Sequence, residues 1–246
     1  MKKLLLLVPT YNESASIEAL IKRVAGVRSA LKNLIGGDIQ MLIIDDNSPD
    51  GTAAIVAGLG EEWIEILPRS EKGGLGPAYI AGFTYGLSKN FDFMVEMDAD
   101  LSHQPEELAA MIKPVADGSA DLTIGTRWMP GGKIVNWPLT RQFISRAGTS
   151  YARVVLGIKL RDITSGFRVF RSEVLRSINF DRIESKGYGF QIEMALETLE
   201  NGFRVEEVPI TFVERVDGVS KMNKAIVIEA LWKVTIWGIQ RLVKRR

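Results

Sequence analysis

The sequence predicts a single α/β domain built on a doubly wound, mostly parallel sheet, and three observations carry that expectation. Short apolar runs alternate with helical patterns through the first half of the chain. Polar clusters stand just after three of those runs, where sheets of this kind place their ligands. The 246 residues suffice for one full core, and no linker, repeat or low-complexity tract divides them.

In chain order, Leu4–Val8 is an apolar run that gives way to Pro9-Thr10-Tyr11-Asn12-Glu13. It reads as a buried first strand; a leader peptide needs a longer apolar core and a small-residue cleavage site. Ser16–Leu34 follows as a helix, then Met41–Ile44 as a strand. Thr52–Leu59 is a helix that Ser48 or Asp50 can cap, followed by strand Ile64–Leu67. Pro77–Ser88 is a helix with proline at a first helical position, and Phe93–Met97 a strand. Helix Pro105–Ala116 leads to strand Leu122–Ile124. Beyond Arg127, Met129-Pro130-Gly131-Gly132 and Trp137-Pro138 mark a loop. Leu139–Leu156 reads as a helix, Asp162–Arg168 as a turn entering a strand, Gly189–Leu199 as a helix and Phe203–Pro209 as a strand. The last 25 residues read as one amphipathic helix.

Bulk chemistry excludes several function classes. There is no cysteine, so disulfides and thiolate metal sites are absent, in keeping with a reducing compartment. His103 is the one histidine and stands in a loop, so a histidine metal cluster cannot be assembled. A net charge of +1 gives no reason to expect nucleic-acid binding. That average hides an asymmetry: Lys221–Arg246 carries +6 and the rest of the chain −5. No apolar stretch approaches the roughly 20 residues that span a bilayer.

The richest motif is Met97-Asp98-Ala99-Asp100. If the strand continues through it, Asp98 and Asp100 point to one side. Two such carboxylates repel unless a cation lies between them, and hard oxygen ligands suit magnesium or manganese completed by water and substrate phosphates. Asp45-Asp46-Asn47-Ser48-Pro49-Asp50-Gly51-Thr52 follows the second strand, where Asp46 can accept hydrogen bonds from a base or ribose. Lys72-Gly73-Gly74-Leu75-Gly76-Pro77 lacks the third glycine of a dinucleotide-binding loop, since Tyr79 stands in its place. Backbone N–H groups and Lys72 could still meet a phosphate there. Arg127, Arg141, Arg146, Arg168 and Arg215 offer the planar fork that binds two phosphate oxygens at once. Arg141 and Ser145 are four apart and share a helix face. In the tail, Glu229, Lys233, Gln240 and Lys244 form a polar stripe beside a broad apolar face with Trp232 and Trp237. That helix suits either a membrane interface, aided by terminal Arg241, Lys244, Arg245 and Arg246, or packing on the domain.

Taken together, Val8–Glu13, Asp45–Thr52, Lys72–Gly76, Asp98–His103 and Thr164-Ser165-Gly166-Phe167-Arg168 resemble the dolichol-phosphate (polyprenol-phosphate) mannose synthases, inverting GT-A glycosyltransferases of family 2. The resemblance covers nearly the whole chain. It implies a GT-A (Rossmann-like) catalytic domain over residues 1–220, followed by the amphipathic helix 221–246. It also implies transfer of mannose from GDP-mannose to a polyprenyl or dolichyl monophosphate, aided by Mg²⁺ or Mn²⁺. Position by position, Pro9, Tyr11, Glu13 and Asp46 would hold the guanosine, with Lys72 near the nucleotide sugar. Asp98 and Asp100 would bind the metal, and Ser102 stands where some relatives carry a glutamine that reaches it. Arg127, Arg141, Ser145 and Arg215 match positions associated with the donor or acceptor phosphates. The implied setting is the cytoplasmic face of a membrane, bound peripherally, with or without a separate membrane subunit. The alternatives are a related glucosyl- or N-acetylhexosaminyltransferase using a UDP-sugar, and a catalytically silent membrane-surface binding subunit.

The chemistry suits a chain with one histidine. A phosphate monoester is mostly dianionic at pH 7, because its second pKa is about 6. It can attack an anomeric carbon without a general base. The protein then has only to align the reactants and stabilise charge.

Overall fold

Leu4 to Val8 lie buried from end to end, and their alternation assigns a face to everything else. The computed structural model describes residues 1–183, 185, 187–214 and 224–244. Strand β1 (Lys2–Thr10) turns Leu4, Leu6 and Val8 to one side of the sheet and Leu5 and Leu7 to the other. On the first side pack α1 (Ile17–Ile35), through Leu20 and Val24, and α4 (Leu108–Ala116), through Met111 and Val115. On the second side pack α3 (Leu75–Ser88), α6 (Ser172–Ser177) and α7 (Tyr188–Glu200), with Phe83, Leu175 and Phe190 at the centre. A layer of helices on each face makes the expected doubly wound α/β domain.

The remaining strands are β2 (Gly37–Asp45), β3 (Ile64–Pro68), β4 (Phe93–Glu96), β5 (Leu122–Thr126), β7 (Arg168–Arg171) and β8 (Val205–Pro209). Helix α2 (Thr52–Gly58) links β2 to β3. The sheet order is β3-β2-β1-β4-β7-β5-β8. Every pairing is parallel except those of β7, which runs antiparallel between β4 and β5. Pro9 is tolerated in a central strand because β4 pairs with β1 only as far as Leu7. A second sheet joins β6 (Lys133–Val135) to β9 (Thr211–Val213) in parallel, the one pairing that the loop reading of Met129–Pro138 omits. Three-residue strands carry no periodicity for a sequence to reveal.

Helix α5 (Leu139–Leu156) and the tail helix α8 (Lys224–Lys244) lie against each other. A Cβ on Gly238 would stand 2.4 Å from Val155 Cγ1, so glycine is what permits so close a crossing. Val234 is buried, Tyr151 and Thr235 share a hydroxyl hydrogen bond of 2.7 Å, and Arg241 donates to Glu200 at 2.8 Å. The other side of the pair is apolar and open: Leu139, Phe143, Ile144 and Val154 on α5, and Leu231, Trp232 and Ile239 on α8, are all exposed. One face of the tail helix is therefore packed on the domain, as one of the two expectations has it, and the other is open.

The carboxyl ends of β1 and β2 are tied by Asp50, which accepts from the backbone N–H of Ser14 at 2.9 Å and from the N–H and hydroxyl of Thr52 at 3.0 and 2.6 Å. Partial burial raises its pKa, but the bonds from Thr52 and Ser14 outweigh that and pull it down to about 2. A depressed carboxyl stabilises the fold above its unfolded pKa near 3.8, and that stability is lost as pH falls toward 2. Asp50→Asn is expected to lower stability by about 1 kcal/mol at pH 6. In thermal melts its gap from the parent protein should close between pH 4 and pH 2; a gap constant across that range would contradict the role given to the charge.

Candidate active site

Three clusters meet above the carboxyl ends of the strands. The first belongs to β1, β2 and β3. Asp45 is consumed by structure: it accepts from Thr10 Oγ1 at 2.8 Å and from the Ser48 hydroxyl and N–H at 2.6 and 2.9 Å. Asp46 accepts from Arg69 Nη1 at 2.6 Å and from the N–H groups of Gly73 and Gly74 at 3.1 and 3.3 Å. Gly73 approaches so closely that a Cβ would stand 2.4 Å from Arg69 Nη2. The glycine loop thus folds over Asp46, and Lys72 Nζ comes to rest 4.0 Å from the centre of the Tyr11 ring. Glu13 starts α1, its carbonyl accepting from the N–H groups of Ser16 and Ile17, both at 3.0 Å. Tyr11, Asp46 and Lys72 are therefore gathered in one place, together with Arg69, which sequence reasoning passed over. Its signal was its position directly after β3, at a carboxyl strand end.

The second cluster surrounds Asp98 and Asp100. Strand β4 ends at Glu96, so the two carboxylates sit in a turn beyond it rather than on an extended strand. Leu101 adopts φ 63°, and the Ser102 N–H donates back to Asp100 Oδ1 at 3.0 Å. His103 is buried beside them, stacked on Phe167 with ring centres 4.9 Å apart. Its Nδ1 accepts the Asp98 N–H at 3.1 Å, which places the imidazole proton on Nε2, 3.8 Å from Asp98 Oδ2. From the opposite side the Thr164–Arg168 segment closes in: a Cβ on Gly166 would lie 3.8 Å from Asp98 Oδ1 and 3.7 Å from His103 Cε1.

Beneath this turn lies a buried polar pair. Glu96 and Arg168, opposite each other in the β4–β7 register, are both fully buried. Arg168 donates to the carbonyls of Ile163, Ser165 and Gln191 at 2.6, 2.8 and 2.7 Å. Burial lowers its pKa to about 10, so it keeps its charge at neutral pH. Burial pushes Glu96 up to about 7 against the pull of Arg168 and of the 2.9 Å bond from Gln191 Nε2.

The third cluster is built on β5, α5 and the small sheet. Arg127 is buried in a two-pronged ion pair with Asp162, at 2.7 Å from Nε and 2.7 Å from Nη2, and its N–H donates to the same carboxylate at 3.0 Å. Arg141 bonds Glu214 at 2.5 Å and lies 4.0 Å from the centre of the Trp137 ring. Trp137 meets Phe212 edge to face at 5.2 Å, and Phe212 meets His103 at 5.6 Å. A continuous aromatic wall therefore runs from the Asp98 turn to Arg141. Arg127, Trp137, Arg141, Ser145 and Thr164 line a cleft of about 700 Å³, its open mouth included, together with apolar Ile144, Ala152, Ile192, Leu231 and Val234. Arg146 stacks on Trp128 at 4.5 Å and is not among the cleft's lining residues. Arg215 lies outside the described residues.

Among the described residues no three carboxylate or imidazole side chains converge as a closed metal cage. The two carboxylates of the turn nevertheless suit a hard divalent ion that takes its other ligands from water and a diphosphate.

This sheet order, with helices on both faces and an acidic turn after β4, is that of the GT-A glycosyltransferase fold. Residues 6–178 match glycosyl transferase family 2, and the chain belongs to that family of glycosyltransferases. It is 48% identical over 239 residues to an undecaprenyl-phosphate mannosyltransferase of Micrococcus luteus, covering 96% of this chain and 94% of that one. It is 42% identical over 247 residues to a polyprenol monophosphomannose synthase of Mycolicibacterium smegmatis, covering 99% and 90%. Among solved structures, glucosyl-3-phosphoglycerate synthase from Mycobacterium tuberculosis in complex with Mn²⁺ and UDP-glucose shares the fold. Its TM-score is 0.67 at 19% identity, with 98% of this chain and 78% of that one covered.

Asp162→Ala would strand the Arg127 guanidinium in a buried place without its counter-charge. The expected loss is about 3 kcal/mol or more in chemical denaturation. A variant as stable as the parent would show that the pair contributes nothing to the fold.

Proposed function

We propose that the protein transfers mannose from GDP-mannose to a polyprenyl monophosphate at a membrane surface, with inversion at the anomeric carbon. One observation carries the reading: a mainly apolar cleft that also carries Arg127, Arg141 and Ser145, joined by an aromatic wall to the carboxylates of the Asp98 turn. A phosphate on an isoprenoid has that combination of chemistries. The similarity to two polyprenyl-phosphate mannosyl enzymes over nearly the full chain supports the same substrates.

In this reading Tyr11, Glu13, Asp46 and Lys72, with Pro9 below them, form the nucleotide end. Asp98 and Asp100, with Ser102 in the same turn, would hold Mg²⁺ or Mn²⁺, which when bound neutralises charge on the leaving diphosphate. The arginines align the acceptor; Arg215 joins them by family position alone. An oxygen of the dianionic acceptor phosphate forms the new bond to the anomeric carbon as the bond to the diphosphate oxygen breaks. No proton has to be removed from the nucleophile. A single in-line displacement inverts the centre, and alignment with charge stabilisation supplies the catalysis.

No helix among the described residues is long and apolar enough to cross a membrane. The open apolar side of α5 and α8 instead suits the interface, with Trp232 at headgroup depth, and the cytoplasmic leaflet is the side where nucleotide sugars are met.

The decisive test incubates the purified protein with GDP- and UDP-sugars, a polyprenyl phosphate and Mg²⁺ or Mn²⁺, followed by analysis of the lipid product. Mannosyl transfer from GDP-mannose alone is expected; transfer from a UDP-sugar alone would reassign the donor, and none from any donor would remove the reading. Asp98→Asn or Asp100→Asn should fold normally and lose about two orders of magnitude in rate. Full turnover in EDTA would refute metal dependence.

The membrane side is checked separately. Because α8 also packs in the core, deleting it would confound folding with binding. Phe143→Asp with Trp232→Asp alters only the open side, and should abolish co-sedimentation with anionic liposomes while leaving the melting temperature unchanged. Undiminished liposome binding would sink the interface role.

A further inference from the structure

Two donors on residues that line the cleft are shielded from water and have no partner among the described residues: Arg141 Nε and the indole Nε1 of Trp137. They belong to groups in direct contact, the guanidinium lying 4.0 Å from the ring centre. Such a stack uses the face of the indole and leaves its in-plane N–H, like that of the guanidinium, unspent. Native proteins rarely leave a buried donor unpaired, because it has surrendered water and gained nothing.

Loose placement does not explain the vacancy at the indole. The Trp137 ring is held by Arg141 on its face, by Phe212 edge to face at 5.2 Å and by Arg127 at 5.3 Å. Its carbonyl accepts from Gln142 Nε2 at 3.1 Å, and Pro138 leads straight into α5. A ring so constrained holds its N–H in place, and no described residue accepts from it. Two guanidiniums stand beside it, Arg127 held by Asp162 and Arg141 by Glu214, the one carboxylate on Arg141 among the described residues. An oxyanion with several lone pairs is the matching ligand.

We infer that Trp137 binds the acceptor phosphate through its indole N–H, beside Arg141, and that the phosphate takes the place of the Glu214 carboxylate on that arginine. The inference rests on the acceptor named in the preceding subsection. Trp137 then has two duties: its face steers the guanidinium and its edge adds a neutral donor. That donor strengthens the grip on a phosphate without adding charge that would hold the glycosylated product, whose phosphodiester carries one negative charge fewer.

The test uses the full chain with ¹⁵N-labelled indoles, whose five tryptophan N–H signals can be resolved and the one from Trp137 identified by its loss in Trp137→Phe. Geranyl phosphate should move that signal downfield and geraniol should leave it in place. A signal that stays still with geranyl phosphate, moves as far with geraniol, or answers GDP with Mg²⁺ in its stead overturns the inference. In kinetics, Trp137→Phe keeps an aromatic face and loses the donor. It should raise the acceptor KM about tenfold with the donor KM unchanged, the loss expected for one hydrogen bond to a charged group. Trp137→Leu removes the face as well and should lower kcat further; equal kinetics for parent and Trp137→Phe would also overturn the assignment. Failure of the functional reading looks different: the indole signal would answer geranyl phosphate, yet no sugar would reach any polyprenyl phosphate.

Discussion

Arg168 holds its charge where no water reaches it, and the carboxyl end of the sheet is organised around that fact. A buried guanidinium is tolerable only when its donors are satisfied and a counter-charge is near. Three carbonyls from Ile163, Ser165 and Gln191 supply the first condition, and Glu96 across the β4–β7 pair supplies the second. These partners come from β4, from the loop before β7 and from α7. Satisfying one side chain therefore draws together the acidic turn that follows β4 and the Thr164–Arg168 segment that presses on it. Loss of the arginine would free the loop and leave Glu96 without its main compensation.

The same economy recurs at the arginine end. Arg127 is locked to Asp162 and Arg141 is paired with Glu214, so neither guanidinium waits in open water. Arg127 gives its positive field to the cleft while its prongs are held; Arg141 retains a donor to offer. Between this end and the carboxylates stand His103, Phe212 and Trp137, packed edge to face. Rings packed this way resist compression, so the spacing between the Asp98 turn and Arg141 is set by side-chain contact rather than by loop position.

Much of the architecture was legible because it is periodic. The strands of the first half and the long helices announce themselves by apolar runs and 3.6-residue spacing, and their observed limits shift by only a few residues, as in α3, which starts at Leu75 rather than Pro77. What could not be read lacks local expression. The β6–β9 pair is three residues on each side, and the antiparallel sense of β7 depends on where a loop returns. Asp98 and Asp100 stood out by their spacing in sequence, but they lie beyond the end of β4 and not on an extended strand. The partners of the arginines were invisible for a simpler reason. Asp162 is 35 residues from Arg127 and Glu214 is 73 from Arg141, and nothing near either arginine hints at them. Arg168, one of five scattered arginines in sequence, gives no local sign of its complete burial.

The cleft is open to solvent, and α5 and α8 supply Ile144, Ala152, Leu231 and Val234 to its apolar lining. On the proposed reading it meets a phosphate and the first part of an isoprenoid. The rest of a long lipid stays among other lipids, where hydrocarbon already has the environment it prefers. Tail length then has no purchase on the protein. Affinity for the lipid divides between a headgroup recognised by the site and a chain whose free energy belongs to the bilayer. An enzyme arranged in this way meets its acceptor as a two-dimensional solute, so surface density of the lipid, not its bulk concentration, governs how often the cleft is filled.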